Sequence, residues 1–233
     1  MVKKLTLISL FFIMLFSQQV LSAEGDTYSF TWLDQDKEVY VLQNRKFRKK
    51  GKFHVSLGAG MTTSGSFVNG SNLQGRAGYF FKEEWGFELL YSKNAGEENA
   101  DAQAVRNTTA AGSTPFRQIT NYYMGAMLLW SPFYTKINTF NTIVYMDYIF
   151  GIGIGKIEET NNRLELQNTV NKNETVEAHN ALLWSMGMKF YVNDSFSIRP
   201  DFTGVMFKSL RPDRNEENVY SHYDLSLSVV MDL

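Results

Sequence analysis

Apolar and polar residues alternate along most of this chain, and the alternation is cleanest where the chain ends. Tyr223, Leu225, Leu227, Val229, Met231 and Leu233 share one parity, while Asp224, Ser226, Ser228, Val230 and Asp232 share the other. A period of two marks a strand with one apolar and one polar face. The same pattern predicts a first strand over about 52–62, with Phe53, Val55, Leu57 and Met61 on the apolar face. Further strands follow over about 72–81, from 85 to about 91, and over 119–130, 141–154, 181–192 and 196–207. Counted with the C-terminal one, there are eight. Pro132 is read as lying in the turn after the fourth strand, and Pro200 as forcing a bulge in the seventh, because proline cannot donate to a ladder.

The connections alternate as well. Those after strands two, four and six are short, with Lys82-Glu83-Glu84 and Asn193-Asp194 as turn signals. The others are longer, especially 93–117 and 156–179. Short periplasmic turns alternating with long external loops, on an even number of strands, describe a bacterial outer-membrane barrel. A strand running to the chain end would leave an open sheet with an unprotected edge, whereas closure pairs it with the first strand. The parity also sets the polarity of the two faces. Arg76, Glu88, Asp147, Lys189, Arg199, Asp201 and Asp224 all fall opposite the apolar stripe, so the apolar face meets lipid and the charges line the lumen. A soluble ligand-binding barrel would reverse this. Trp85, Trp130, Trp184 and Tyr223 lie on the apolar face near strand ends, where amphipathic rings anchor at membrane interfaces.

The N-terminus adds a destination. Met1-Val2-Lys3-Lys4, an apolar run from Leu5 to Phe16, and Ala23 before Glu24 make a secretory signal peptide over 1–23. Residues 24–51 form a periplasmic lead-in that ends in a basic collar, and 52–233 form the barrel. The chain has no cysteine, which removes disulfides, thiolate metal sites and a lipoprotein anchor together. With 23 basic against 24 acidic residues it lacks the basic surplus of a nucleic-acid binder. High aromatic content beside a mean hydropathy of −0.25 suits a barrel with aromatic girdles and a polar interior.

The run from Val39 to Phe53, VYVLQNRKFRKKGKF, followed by HVSLGAG, resembles the opening of a family of outer-membrane β-barrel domain proteins. That family is found in gliding and predatory Gram-negative bacteria and consists of small OmpA/OmpX-like barrels. The resemblance covers about 36–60 by motif and the remainder by strand layout. It implies a barrel of the cell envelope, some members serving envelope assemblies such as motility complexes, and no shared enzymatic role.

Candidate chemistry is sparse. Gly151-Ile152-Gly153-Ile154-Gly155 lies inside an alternating strand without the strand-to-helix context of a phosphate loop, so the inward glycines make room for bulky lumen neighbours. His54 and Ser56 share one strand face, the spacing of a catalytic pair in outer-membrane lipid A deacylases, but without an acidic partner in evident register. Ser221-His222-Tyr223-Asp224 holds nucleophile, base and acid, yet neighbours along a strand face opposite sides, which reads as a strand entrance at the outer rim. His179 falls in a loop, and the spacing of three histidines makes no metal site. No cofactor is expected. The collar residues Arg45, Lys46, Arg48, Lys49, Lys50 and Lys52 suit either anionic headgroups or a periplasmic or envelope-complex partner.

The sequence therefore describes an all-β, eight-stranded antiparallel transmembrane barrel of the Gram-negative outer membrane, monomeric and surrounded by outer-membrane lipid. An interior of this width is filled by side chains, and its charges must pair. The expected function is non-enzymatic: a structural or interaction role in the envelope, with long loops and a plugged, charged lumen. The alternative is a small gated ion channel or porin-like barrel, and an enzyme acting on envelope lipid ranks last.

Overall fold

The computed structural model describes residues 45–65, 67–108, 114–139, 142–167, 174–210 and 217–233. The signal peptide, and the lead-in before residue 45, lie outside the described residues. From there the chain forms β1 (Phe53–Thr63), β2 (Val68–Phe80), β3 (Trp85–Glu98), helix α1 (Ala100–Thr108), β4 (Gln118–Trp130), β5 (Tyr134–Thr139) and β6 (Thr142–Asn161). A short helix α2 (Arg163–Gln167), β7 (Thr175–Tyr191), β8 (Phe196–Leu210) and β9 (Glu217–Asp232) complete it.

Eight of these strands close a ring. Neighbours pair antiparallel in the order β4-β3-β2-β1-β9-β8-β7-β6, and β6 pairs back with β4. The terminal strand meets the first through Leu57↔Val229 and Gly60↔Ser226, so closure removes the edge. The lipid-facing parity holds along the staves: Leu57, Leu89, Ile152, Leu225 and Val229 are exposed, and Ser56, Glu88, Gly151 and Ser228 between them are buried.

The structure differs from the sequence reading in three places. Pro132 is not in a hairpin turn. The chain breaks at 131–133 and then resumes pairing with the same strand, Trp130↔Phe150 on one side and Tyr134↔Asp147 on the other. β4 and β5 are thus one interrupted stave, and β6, 20 residues long, runs past the ring as a hairpin with β5. The break costs little because Ser131 N–H donates to Glu84 O at 2.7 Å instead. Secondly, Pro200 makes no bulge. Its pairing with Leu227 of β9 stays in register, and β7–β8 keeps one register on both sides of it, Gly187↔Asp201 and Phe190↔Ile198. A missing N–H interrupts only the ladder it would have joined. The irregularity lies instead between Thr120 and Tyr122 of β4.

Thirdly, much of the two stretches taken as long loops is ordered. β3 and β6 continue to Glu98 and Asn161, β7 begins at Thr175, and α1 and α2 occupy part of the remainder. Outward polar residues such as Lys93, Lys156 and Lys208 mark where the apolar band stops, so the strands rise beyond the lipid-facing region. The α1 helix starts at Asn99, whose Oδ1 accepts from Ala102 N–H at 3.0 Å as an N-cap.

At the other end, Gly51 turns the chain into β1 with φ +81°, a left-handed conformation that glycine adopts without a Cβ clash. That end also carries the short 81–84 and 192–195 connections. Bacterial barrels keep their short turns periplasmic. We refer to it as the turn end and to the opposite one as the loop end.

Candidate functional site

The lumen is where this chain concentrates its polar chemistry, and the strand parity explains why. A carboxylate among lipid tails would carry a heavy desolvation cost, so charged residues sit at inward positions, where partners from other strands reach them.

Glu88 of β3 is the centre. It is fully buried and accepts from Arg76 Nη1 at 2.8 Å and Arg199 Nη1 at 2.7 Å, and lies 2.9 Å from His54 Nε2. Arg199 also donates from Nε to Asp201 Oδ1 at 2.8 Å, and Arg76 Nη2 donates to Thr203 Oγ1 at 2.7 Å. Four strands, β1, β2, β3 and β8, thus contribute to one charge-assisted network. Glycines make space for it: a Cβ on Gly78 would fall 2.5 Å from His54 Cε1, and one on Gly187 would meet Asp201. The acidic partner missing for His54 in the sequence reading is therefore Glu88, brought across the barrel from β3. Ser56 is buried, but its Oγ makes no hydrogen bond among the described residues and is not paired with His54.

Toward the loop end the lumen turns apolar. Leu90, Tyr123, Met127, Ile157, Leu183, Val205 and Phe207 pack together, all at inward positions. Gly151 supports this layer, since a Cβ there would strike Met127 Cε at 2.7 Å. The interior is consequently a sandwich of ionic and apolar layers, not the uniformly polar lumen that the charges alone suggested.

The turn end holds a second ionic layer. Asp147 and Lys189 face each other across the β6–β7 ladder, yet Lys189 Nζ turns to Asp232 Oδ1 at 2.5 Å. Asp147 takes Lys49 Nζ at 2.8 Å and the Tyr191 hydroxyl. Lys49 thus stands apart from the rest of the collar. It is buried inside the barrel mouth, donates to Ser131 Oγ at 2.5 Å and lies 5.2 Å above the Phe80 ring. Phe47 inserts beside it, stacked on Tyr191 at 4.6 Å and edge-on to Tyr145 at 5.4 Å. Arg48 and Lys50 between and beyond them are exposed, and Lys52 Nζ donates to Asp194 O at 3.4 Å. Phe47, an apolar residue two positions before Lys49, was the available signal, and the charge run masked it. Arg45 and Lys46 precede this segment.

Asp224, nearer the loop end, accepts from Tyr123 Oη at 2.8 Å and Asn94 Nδ2 at 3.1 Å, and stands 2.8 Å from His222 Nε2. The other ring nitrogen, Nδ1, is 2.6 Å from Ser64 Oγ. A Ser–His–Asp chain does exist here, but its serine comes from the β1–β2 connection and not from Ser221. Thr120 Oγ1 joins both Ser64 and His222 at 3.0 Å, and the histidine is buried.

His179 is not in a loop. It lies on β7, where the continued alternation with Glu177 and Ala181 points it inward. Its Nε2 is 3.2 Å from Glu159 Oε1 and 3.7 Å from Glu177 Oε2. Glu159 lies above the apolar band, and burial raises its carboxyl above the ordinary range against the bonds from Ser209 and His179. Glu177 stands two positions before His179 on the same strand face, a spacing that the loop reading hid, whereas Glu159 comes from β6 and faces Glu177 across the ladder.

On the outside, Trp85 and Trp130 face each other across β3–β4 at the turn end, 6.3 Å apart. Trp184 packs over Gly204 against Phe202 and Tyr223, with centroids 5.5 and 6.4 Å away. The four rings expected at the membrane interfaces therefore form two clusters.

A family model described as the outer membrane protein beta-barrel domain matches residues 41–232. No curated protein matches the chain. Among solved structures, Neisserial surface protein A is 14% identical with a TM-score of 0.47, covering 78% of this chain and 97% of that one. The N-terminal barrel domain of Pseudomonas aeruginosa OprF is 11% identical with a TM-score of 0.46, covering 79% and 98%. OprG of the same organism is 12% identical with a TM-score of 0.45, covering 79% and 97%. The closed eight-stranded ring, its lipid-facing apolar parity and the family match over nearly all of it together make this chain a member of the outer-membrane β-barrel domain family of Gram-negative bacteria.

Proposed function

We propose that the protein is a non-enzymatic barrel with a structural or interaction role in the envelope, its lumen plugged and its external loops and basic collar available to partners. The observation that carries this is the Glu88 network. An acidic centre is held by Arg76, Arg199 and His54 from three other strands, and side chains that meet across the interior in this way favour a plug. An interior of eight staves has little room beyond that. Lys49 and Phe47 support the same reading by occupying the turn-end mouth. The resemblance of the 39–53 run to barrels of gliding and predatory bacteria favours an envelope-assembly setting. The exposed Arg48 and Lys50 suit anionic headgroups or an acidic partner surface.

Single-channel recording of the refolded mature chain in a planar bilayer tests the plug, after a heat-shifted gel band has verified folding. The expected trace is silent. Lys49→Ala, which removes one cation from the mouth but leaves Phe47 and the Glu88 layer, is also expected to be silent. Reproducible steps from the unmodified chain would replace this reading with the channel one.

A further inference from the structure

Glu159, Glu177 and His179 belong to neither the Glu88 layer nor the mouth. They lie at the loop end on two adjacent staves, one atom from each within 4.8 Å of the others. The Nε2–oxygen separations of 3.2 and 3.7 Å bracket the edge of a tetrahedral zinc shell. With bonds of about 2.0–2.1 Å that edge is roughly 3.3 Å. The groups are also held from behind. Arg163 Nη2 donates to Glu177 Oε1 at 2.5 Å and leaves Oε2 facing the histidine. Ser209 Oγ and Gln118 Nε2 donate to Glu159 Oε1 at 3.0 and 3.2 Å. His179 stacks on Phe207, which sets its ring plane. Such outer partners are what orient metal ligands.

A separate observation concerns the second oxygen of Glu159. Glu159 is fully buried, yet its hydrogen bonds among the described residues all converge on Oε1. Its Oε2 is buried and takes no hydrogen bond among the described residues. A buried carboxylate oxygen without a donor is costly, and a cation bound through both oxygens of this carboxylate would satisfy it. An open groove lined by Glu177, His179, Ser209 and Glu217 gives access from the loop end, with Lys208 the opposing charge on its wall.

We propose that Glu159, Glu177 and His179 form a binding site for a divalent transition-metal ion, with Zn²⁺ the best match to one imidazole and two carboxylates. Three protein ligands leave a position open toward the groove. The nitrogen donor favours zinc over calcium or magnesium, which prefer all-oxygen shells.

The test is calorimetric titration of ZnCl₂ into the refolded, EDTA-stripped mature chain, with CaCl₂ in parallel. One saturable zinc site is expected, with much weaker calcium binding. Loss of an outer partner alone costs about 10–100-fold in metal affinity, so H179A and E177Q should each weaken zinc by at least ~10-fold. E97Q, which removes an exposed carboxylate on the outer face of β3, should leave it unchanged. Each variant is first shown to fold by its heat-shifted band. No saturable zinc binding, binding that survives both H179A and E177Q, or calcium held as tightly as zinc would overturn the assignment.

Discussion

The sharpest quantitative consequence concerns Glu88→Gln. The substitution keeps the side-chain volume but removes the negative charge shared by Arg76, Arg199 and His54. Arg199 keeps Asp201, while Arg76 is left with neutral acceptors, Thr203 and Gln74. Both guanidiniums are buried, so water cannot make up the loss. Removing one partner of a buried ion pair costs about 3–5 kcal/mol, a shift of two to three and a half decades in the folding equilibrium at ~1.4 kcal/mol per decade. Urea unfolding in lipid vesicles reads this, with the lipid-facing Trp85, Trp130 and Trp184 as fluorescent reporters. The midpoint should fall at unchanged m-value. Arg76→Met in the Glu88→Gln background should recover at least ~1 kcal/mol, because an apolar replacement is tolerated better than an orphaned charge. A single-variant loss under ~1 kcal/mol, or a double variant no better than the single, would show that water screens the lumen.

Two further outcomes test neighbouring parts of the structure. Gly78→Ala places a Cβ against His54 and against Phe87 O, so it should cost about 1–3 kcal/mol by overpacking, measured in the same unfolding assay; a neutral effect would mean that His54 is not confined. A fluorophosphonate probe should leave Ser64 unlabelled despite its 2.6 Å approach to His222, since Thr120 shares the contact and the imidazole is buried. Labelling lost in Ser64→Ala would reverse the non-enzymatic reading.

Much of the architecture was legible in the sequence because a strand writes its environment at a period of two, and lipid imposes that period on every stave of a closed barrel. Phe53 to Met61 and Tyr223 to Leu233 showed the two faces, and the pairing of these two strands closes the ring. Proline misled locally. Pro132 and Pro200 each lack a donor, but whether that ends a strand, bulges it or merely skips a rung depends on the neighbouring stave, which the local sequence does not contain. The loop-end extensions were hidden because above the membrane the outward face is no longer apolar. There Lys156, Glu158 and Asn180 erase the contrast that the alternation relies on.

The chemistry divides along the same line. Which residues point inward is a local property of the strand, so Arg76, Glu88, Asp147, Lys189, Arg199, Asp201 and Asp224 could be named from parity alone. Which of them touch is a property of stagger and curvature. Register shear brought Lys189 to Asp232 instead of Asp147, lifted Ser64 to His222, drew Lys49 out of a surface charge run into the mouth, and set Glu159 beside His179. Those contacts join residues 20 to 158 positions apart in the chain. The sequence determined the faces of each strand, since these follow from one residue's position relative to the next. Only the tertiary structure decided the pairs, since these follow from how the strands are shifted when the ring closes.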